Sequence, residues 1–409
     1  MDKQKALIAM SGGVDSSVSA ALMVKAGYDC VGVNMKLHTG ATEDDVGGKT
    51  CCSLTDAEDA RSVCRKLGMP FHVFNFTEDF AREVIDRFVC AYECGATPNP
   101  CIDCNKYMKF SKLYDRAKIL GCDLIVTGHY ARVEYSEERN RWVLKKAKNL
   151  PKDQTYVLYF LTQEQLEHTR FPLGEFESKD QIRAIAEDLD FITAKKSDSQ
   201  DICFVPDGRY ADFLTEYTGK TYEPGEFVDI HGNVVGRHNG IVRYTIGQRR
   251  GLGLAMCEPV YVKSKDMEHN RVVIATNAEL FSHRLVADNF VWSGMDSPTA
   301  LYRCKAKTRY QAKEADCTAT VLNDGRVEVV FDEPQRALTV GQAVVLYEDD
   351  VVLGGGVIRE VGGYGKSRSV TLRLFFILSA VVLPDIRFLR QVPSDGSDFR
   401  SFPAHSMRF

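Results

Sequence analysis

Ser11-Gly12-Gly13-Val14-Asp15-Ser16-Ser17 decides the fold of this 409-residue chain. The loop follows an apolar run over 6–10, typical of a buried strand, and precedes a helical pattern over 16–25. A strand, a Gly-Ser loop and a helix N-terminus together direct backbone N–H groups at one point, where an anion can bind. The loop lacks the Gly-Lys-Ser/Thr ending of a Walker A motif and the Gly-x-Gly-x-x-Gly dinucleotide turn. We therefore predict a phosphate site here.

Strand and helix patterns alternate along the first 135 residues, which favours an α/β fold with a doubly wound parallel sheet. Further strands are predicted over 30–37, 71–76 and 123–126, and further helices over 55–67, 78–93 and 109–120. Nucleotides bind at the carboxyl ends of the strands in such sheets. Met35 lies near the carboxyl end of the strand predicted over 30–37, and Gly128 follows the strand predicted over 123–126. We therefore expect both residues beside the phosphate loop.

Composition limits the classes of function. With 44% hydrophobic residues, the chain is long enough for two or three domains. A formal net charge of −4 argues against general coating of nucleic acid, so any RNA contact must come from local patches. No N-terminal targeting signal is visible, and the thirteen cysteines favour reduced thiols over a disulfide framework. We expect a cytoplasmic protein that does not contact membranes.

Two cysteine segments carry the second chemical signal. Cys101 and Cys104 form a Cys-x-x-Cys directly after Asn99-Pro100, where a new helix should begin. A thiol at a helix N-terminus favours the thiolate, so a nucleophile, a redox pair and a metal site all stay open. Cys203 stands alone after the polar loop 196–201, where a buried apolar role is the alternative to chemistry.

Over residues 5–362 these segments resemble the tRNA-specific 2-thiouridylase family of the PP-loop ATP pyrophosphatase superfamily. The matching motifs are Ser-Gly-Gly-Val-Asp-Ser-Ser at 11–17, Thr-Pro-Asn-Pro at 97–100 with Cys104-Asn105-Lys106, Thr-Gly-His-Tyr at 127–130, Lys152-Asp153-Gln154, the Cys203 loop, the segment 244–252, Arg309-Tyr310, Gly341-Gln342 and Leu353-Gly354-Gly355-Gly356. The resemblance implies an ATP-dependent tRNA sulfurtransferase. Such an enzyme adenylates C2 of wobble uridine 34, in tRNAs of the Lys, Glu and Gln type, and replaces the oxygen with sulfur.

The resemblance also implies roles for single residues. An ATP site, with Mg²⁺ expected, would be formed by Ala9, Met10, Ser11, Gly12, Gly13, Val14, Asp15, Ser16, Met35 and Gly128. Cys203 would carry a persulfide loaded by a sulfur-relay protein or a cysteine desulfurase, and Cys104 would be the nucleophile that releases the sulfur by pairing with Cys203. The target base or the tRNA would be contacted by Asn99, Pro100, Cys101, His129, Lys152, Asp153, Gln154, Arg309, Tyr310 and Gln342.

Cys101 departs from the pattern of many family members, which have aspartate there. A thiol with a reference pKa of about 8.5 does not simply replace a carboxylate as an acid or base. The third thiol opens an alternative, in which Cys101, Cys104 and Cys203 hold a [4Fe–4S] cluster that binds sulfide. A structural zinc site is less favoured because it lacks a fourth ligand. Two further alternatives are a different adenylating PP-loop synthetase and a metal- or RNA-binding module without catalysis.

The sequence pattern changes after Cys203 from alternating strands and helices to short strands with Gly and Pro turns. We predict a PP-loop nucleotide-binding and catalytic domain over 1–206, a small, mostly-β middle domain that contacts tRNA over 207–284, a β-barrel over 285–362 and an atypical, disordered tail over 363–409. The uncharged run 374–383 is too short for the roughly 20 residues of a membrane span. The basic residues that we expect to hold tRNA phosphates are Lys145, Lys146, Lys148, Lys152, Arg249, Arg250, Lys305, Lys307 and Arg309.

Overall fold

The computed structural model describes residues 3–38, 54–197, 202–205 and 208–362. The predicted tail over 363–409 lies outside the described residues, as do Cys51, Cys52 and the stretch 198–201 before Cys203. Across the described ranges, no helix is both long and apolar enough to cross a membrane.

The N-terminal part is built on a five-stranded parallel sheet. Its strands, together with a hairpin that leaves the sheet, are β1 (Lys5–Ala9), β2 (Asp29–Lys36), β3 (Phe71–Asn75), β4 (Leu124–Val126), β5 (Ala131–Ser136), β6 (Arg141–Lys146) and β7 (Thr169–Arg170). The order β3-β2-β1-β4-β7 places β1 where the strand order reverses. Doubly wound sheets bind ligands in the crevice at that point. The predicted α/β fold is confirmed.

Helices connect these strands and follow the sheet. They are α1 (Val14–Lys25), α2 (Leu54–Lys66), α3 (Thr77–Phe80), α4 (Asp86–Glu93), α5 (Pro100–Asp103), α6 (Tyr114–Ile119), α7 (Gln163–Glu167) and α8 (Lys179–Asp188), with π-helical stretches at Ala81–Ile85 and Cys104–Leu113 and 3₁₀ turns at Leu150–Lys152, Thr155–Val157 and Pro172–Glu175. The helix predicted over 109–120 therefore begins earlier, at Pro100. The π-helical stretch breaks the 3.6-residue period, so the apolar pattern indicated only the later part.

The middle part combines one helix with a four-stranded sheet. Its elements are α9 (Tyr210–Thr218), β8 (Gly225–Val228), β9 (Val234–His238), a 3₁₀ turn at Ile241–Arg243, β10 (Tyr261–Asp266) and β11 (Arg271–Ala275). The strand order is β10-β11-β8-β9. This confirms the predicted mostly-β character.

Six antiparallel strands close the predicted C-terminal barrel. They are β12 (Phe281–Trp292), which follows a 3₁₀ turn at Ala278–Leu280, β13 (Tyr302–Lys307), β14 (Ala315–Val321), β15 (Val327–Arg336), β16 (Ala343–Glu348) and β17 (Val351–Val361). The barrel closes because β12 pairs with both β15 and β17. Buried side chains such as Leu285, Val329 and Leu346 fill the interior.

The hairpin β5–β6 leaves the N-terminal part and extends the barrel sheet, since Lys145 pairs with Val351. Lys145 Nζ lies 2.9 Å from a carboxylate oxygen of Glu134, and Lys146 Nζ lies 2.7 Å from one of Glu314. These lysines were expected to hold tRNA phosphates. In the structure, Lys145 forms an ion pair across the hairpin, and Lys146 forms one with the barrel region. The sequence pattern around Lys146 did not indicate this ion pair, because Glu314 lies far along the chain.

Candidate active site

The phosphate loop runs directly from β1 into α1. Gly12 has a φ of +78°, and a Cβ atom on it would lie 2.2 Å from the carbonyl oxygen of Asp56. Only glycine meets both conditions without strain. Ser16 Oγ accepts a hydrogen bond from the Ser11 N–H at 3.2 Å and donates one to the Gly13 carbonyl at 3.1 Å. The loop is therefore held in shape by its own residues.

The first turn of α1 is left open for a ligand. Its N-cap residue is Gly13, and no side chain among the described residues caps this turn. Gly128 lies just beyond β4 and packs against the turn, since a Cβ atom there would lie 2.9 Å from the Ser16 backbone nitrogen. Met35, at the end of β2, is buried in the adjoining core. Uncapped N–H groups at the carboxyl edge of a parallel sheet suit a phosphate.

Lys179, at the start of α8, supplies a positive charge beside the loop. Its Nζ lies 2.6 and 2.7 Å from the two carboxylate oxygens of Asp15, and the Tyr130 hydroxyl donates to Asp15 Oδ1 at 2.7 Å. Asp15 is thus oriented from two sides by residues far away in sequence. Sequence reasoning missed Lys179, because no motif marks it.

Lys196 is the second cation at the loop. Its Nζ donates to the Gly12 carbonyl at 3.1 Å and pairs with Asp56 at 2.5 Å and Asp59 at 2.8 Å. Burial acts to lower the pKa of Lys196, but the hydrogen bonds to both carboxylates outweigh it and raise the pKa. The ammonium group therefore stays charged against the loop. Its position at the start of the polar loop before Cys203 was the available sequence signal.

The helix that carries the paired thiols begins as its sequence indicates. Asn99 is the N-cap, and its side chain accepts a hydrogen bond from the Cys101 N–H at 3.1 Å, while Pro100 occupies the first helical position. Cys101 is exposed and Cys104 is half-buried. Asn105 donates from Nδ2 to the Val157 carbonyl at 3.1 Å inside the core. Cys104 thus sits on a helix anchored on both sides.

Asp103 lies between the two thiols in sequence and was not singled out by the sequence analysis. Burial raises its pKa to about 6, in opposition to the nearby charges of Arg87 and Lys106. Arg87 is itself paired with Glu83 at 3.1 Å and lies over the Tyr107 ring at 4.5 Å. A carboxyl group with a pKa near neutrality, next to a nucleophile, is suited to proton transfer.

Cys203 borders the same hydrophobic core as Cys104. Its neighbour Phe204 inserts an aromatic ring 5.7 Å from that of Phe80 and 5.3 Å from that of Phe88, measured between centroids. This packing holds the half-buried Cys203 close to the elements that precede the thiol helix.

The positions of the three thiols bear on whether they could bind a metal. In the part of the chain that the structure describes, no three His, Cys, Asp or Glu side chains are grouped so that they could hold a metal ion. Cys101, Cys104 and Cys203 all belong to that part. Their arrangement therefore does not fit a [4Fe–4S] cluster.

Several residues expected at the target base meet around Tyr310. Burial and the nearby Asp153 raise the pKa of its hydroxyl, a hydrogen bond with Gln154 lowers it, and the Cys101 thiol raises it further. Lys307 Nζ lies 5.8 Å from the centre of the Tyr310 ring. Asp153 is buried, accepts from the Ala147 N–H at 3.0 Å and influences the pKa of Tyr310. A partly exposed aromatic ring beside a thiol and an amide can stack against a base.

Other residues expected to contact tRNA make their contacts inside the protein. His129 is buried beside Phe110 and Phe171, and burial holds the pKa of its neutral ring well below the ordinary value. Arg309 donates from Nη2 to the Ala337 carbonyl at 2.6 Å. Lys152 is half-buried in a 3₁₀ turn, directly before Asp153. Gln342 donates to the Thr97 carbonyl at 2.7 Å. Their contacts with RNA stay predictions.

Family models match three consecutive parts of the chain. The tRNA methyl transferase HUP domain matches residues 4–207, the tRNA methyl transferase PRC-barrel domain matches 211–276, and the Aminomethyltransferase beta-barrel domain matches 282–358. Their order is that of the parallel sheet, the middle sheet and the barrel.

Curated relatives are similar along almost their whole length. The tRNA-specific 2-thiouridylase MnmA of Acetivibrio thermocellus is 48% identical over 362 residues, which cover 88% of this chain and 100% of that protein. The corresponding protein of Clostridioides difficile is 47% identical, with 87% and 98% covered, and MnmA 1 of Thermoanaerobacter pseudethanolicus is 49% identical, with 87% and 97% covered. Because this similarity spans the phosphate loop, the thiol helix and the barrel alike, the chain belongs to the tRNA-specific 2-thiouridylase family.

Proposed function

We propose that this protein is an ATP-dependent tRNA sulfurtransferase that converts wobble uridine 34 to 2-thiouridine in the cytoplasm. The observation that carries the proposal is a phosphate loop at the N-terminus of α1, in the same domain as a helix with an accessible thiol, within a chain of which 88% is covered by its similarity to a tRNA-specific 2-thiouridylase. A different adenylating synthetase would have no use for Cys104 and Cys203.

The first step activates the base. The C2 oxygen of the uracil attacks the α-phosphate of ATP, which enters as its Mg²⁺ complex; an O–P bond forms, the bond to the β-phosphate breaks, and pyrophosphate leaves. In this proposal the loop N–H groups hold the phosphates, and Lys179 and Lys196, which contact Asp15 and the Gly12 carbonyl of the loop, offset the charge that develops on pyrophosphate. Ala9, Met10 and Met35 line the part of the site that holds the adenine of ATP. Gly128 has no side chain and so leaves room for the nucleotide next to α1.

The second step replaces the activated oxygen. A persulfide on Cys203, loaded by a sulfur-relay protein or a cysteine desulfurase, attacks C2 through its terminal sulfur, and AMP leaves with the oxygen. The Cys104 thiolate then attacks the Cys203 sulfur. A Cys104–Cys203 disulfide forms, the sulfur–sulfur bond of the persulfide breaks, and the electron pair stays on the sulfur at C2. A cellular dithiol reduces the disulfide before the next cycle.

The acid–base role that aspartate holds at position 101 in many relatives passes, in this proposal, to Asp103. Its pKa of about 6 allows it to accept and return a proton near neutral pH. Cys101 instead lines the base side of the site together with Asn99, Pro100 and Tyr310. The tRNA is held by Lys152, Gln154 and exposed lysines of the barrel.

A direct assay tests the proposal. Protein, ATP and unmodified tRNA are incubated with a persulfide donor, and pyrophosphate and digested nucleosides are measured. We expect tRNA-dependent pyrophosphate and 2-thiouridine. Cys203→Ser should abolish thiolation and keep ATP binding, whereas Cys257→Ser, a change at an exposed thiol of the middle part, should leave both intact. The absence of both products from the unaltered protein, or full thiolation by Cys203→Ser, would refute it.

A further inference from the structure

The short linker before the thiol helix is held by both C-terminal parts of the molecule. It runs from Gly95 to Asn99, between α4 and α5. On one side, a Cβ atom on Gly95, whose φ is +81°, would lie 2.9 Å from Met267 Cγ of the middle part. The linker therefore packs closely against the Met267 side chain on this side.

The barrel holds the other side through the loop that enters β16. The Thr97 N–H donates to the Val340 carbonyl at 2.9 Å, and Gln342 Nε2 donates to the Thr97 carbonyl at 2.7 Å. Both backbone polar groups of Thr97 are thus satisfied by the barrel. Gly341 adopts a φ of +92°, and a Cβ atom there would lie 2.9 Å from Ala96 Cβ. The loop and the linker fit together closely.

This barrel loop is itself firmly supported. The Gly341 N–H donates to the Ile358 carbonyl at 2.9 Å, and the Ile358 N–H donates to the Gln342 carbonyl at 2.8 Å, which ties both loop residues to β17. The Tyr156 hydroxyl donates to the Ala343 carbonyl at 2.9 Å. The Gln342 amide therefore projects from a rigid base onto the linker, and what it holds there is the start of the thiol helix.

We propose that Gln342 is a positioning residue, which acts through Thr97 to set the place of the helix that carries Cys101 and Cys104. This rests on the proposed function and deepens it, because sulfur transfer needs the Cys104 thiol aligned with the persulfide. Asn99, two residues after Thr97, caps the helix through the Cys101 N–H. Because Thr97 is only two residues before the N-cap, a shift of Thr97 also moves the start of the helix.

One further feature of the linker is a side-chain hydroxyl without a partner. Thr97 Oγ1 is buried and has no hydrogen-bond partner within the described residues. A buried hydroxyl without a partner is costly and is kept only where surrounding contacts impose it. The contacts that impose it here are those of Val340 and Gln342 on the Thr97 backbone.

The test uses Gln342→Met, which keeps the side-chain volume and removes the amide donor, and Gln342→Glu, which places a carboxylate oxygen against the Thr97 carbonyl. Gln335→Ala is the matched control, since Gln335 is also a barrel glutamine but donates only to the Glu333 carbonyl within its own strand. Three quantities are measured: tRNA affinity, the single-turnover rate of thiolation at saturating tRNA and ATP, and the pH profile of Cys104 alkylation by iodoacetamide without tRNA.

A positioning role predicts a tRNA affinity within about twofold of the unaltered protein and a single-turnover rate lower by roughly 10- to 100-fold, since misplacing a reacting group by about 1 Å has effects of this size. The alkylation profile should shift in both Gln342 variants and stay unchanged in Gln335→Ala, because the thiolate fraction depends on where Cys104 lies relative to the helix and Asp103.

Two results would overturn the inference. A tenfold loss of tRNA affinity with a normal rate at saturation would make Gln342 an RNA contact instead. Unchanged rate and alkylation profiles in both variants would leave it without a positioning role. Should the unaltered protein not thiolate tRNA, the proposed function fails, while the alkylation profiles still report on Gln342. If either Gln342 variant does not fold, Gly341→Ala disturbs the same contact and is read by the same profiles.

Discussion

The phosphate loop and the thiol helix differ in what holds them in place. The backbone turn of the loop is closed by hydrogen bonds among residues at most five positions apart, such as Ser11 with Ser16, and the distant Lys179 and Lys196 that contact it belong to the same N-terminal part. The linker before the thiol helix is held by Gln342, which lies 245 positions from Thr97. A site closed by local bonds forms with its own domain, whereas a site held from a distant domain is complete only when the whole chain has folded.

The largest effect is expected where the loop is most crowded. Gly12→Ala places a Cβ atom 2.2 Å from the Asp56 carbonyl oxygen at a positive φ, so the loop must open. We expect tRNA-dependent pyrophosphate release to fall by at least about 100-fold, because the phosphate-binding geometry is lost. The measurement is a pyrophosphate assay at saturating ATP.

Gly27→Ala is the control for this change, since Gly27 also has a positive φ, of +89°, but no atom of the described residues lies within 4 Å of its Cβ position. It should cost about 1 kcal/mol of unfolding free energy and leave activity unchanged. Equal losses of activity in both variants would show that backbone strain, and not crowding at Asp56, limits the loop.

A second effect concerns the cation under the loop. Lys196→Met leaves the carboxylates of Asp56 and Asp59 without their shared ammonium group. Because Lys196 is about one third exposed, we expect a loss of only about 2 kcal/mol in the free energy of unfolding, below the cost for a fully buried pair. Urea denaturation gives the value, and the KM for ATP should rise.

Lys66→Met serves as its comparison. Lys66 pairs with Asp190 at 2.9 Å, but both side chains are exposed. Its loss should change the unfolding free energy by no more than about 1 kcal/mol. If both variants lose the same free energy of unfolding, the contact between Lys196 and the loop stabilises the protein no more than an exposed ion pair does.

The thiol helix should show a pH dependence that the loop lacks. Because burial raises the pKa of Asp103 to about 6, the folded protein binds this proton more tightly than the unfolded chain. Its stabilising contribution is complete below about pH 4 and is lost as the pH rises through 6. Asp103→Asn should therefore be more stable than the unaltered protein by about 1–2 kcal/mol at pH 8, a gain that disappears toward pH 4.

Urea denaturation at about pH 4.5 and about pH 8, roughly the two ends of this titration, measures the difference. Thiolation by Asp103→Asn should fall even as its stability at pH 8 rises. Asp115→Asn, at an exposed position of α6, provides the comparison and should show no such dependence. If Asp103→Asn raised the free energy of unfolding by the same amount at both pH values, the raised pKa of Asp103 would be wrong.

The smallest effect is expected on the barrel surface. Lys305 is about half exposed, and its nearest carboxylate oxygen, on Asp316, is 3.9 Å away. Lys305→Ala should weaken tRNA binding a few-fold and reduce the slope of log K against log salt by about 1, with no change in the rate at saturation. Filter binding at several salt concentrations tests this, with Lys25→Ala at the exposed end of α1 as the control. An unchanged slope would remove Lys305 from the RNA surface.

Much of the fold was predictable because its signals are local. The strand expected over 6–10 is Lys5–Ala9, and the strands expected over 71–76 and 123–126 are Phe71–Asn75 and Leu124–Val126. Alternating or continuous apolar residues report burial of a strand directly, wherever its partner lies. The hairpin β5–β6 was not predicted, because its role depends on pairing with β17.

The candidate site divides along the same line. Gly12, Ser16 and the Asn99-Pro100 helix start were visible in sequence, since turn, cap and loop chemistry act between neighbouring residues. Lys179 was not visible, because a lysine that pairs with Asp15 from α8 resembles any surface lysine. Asp103 was overlooked although it stood between two thiols, because only burial gives it an unusual pKa.

The sequence by itself determined the phosphate loop, the thiol pair and the order of sheet, middle part and barrel, because each follows from interactions within a few residues. The packing of the folded chain determines which charges face the loop, that Asp103 is partly buried, and that Gln342 reaches the linker before Cys104. Hydrogen bonds and desolvation between segments hundreds of positions apart depend on the packing of whole domains, and a linear pattern carries no record of that packing.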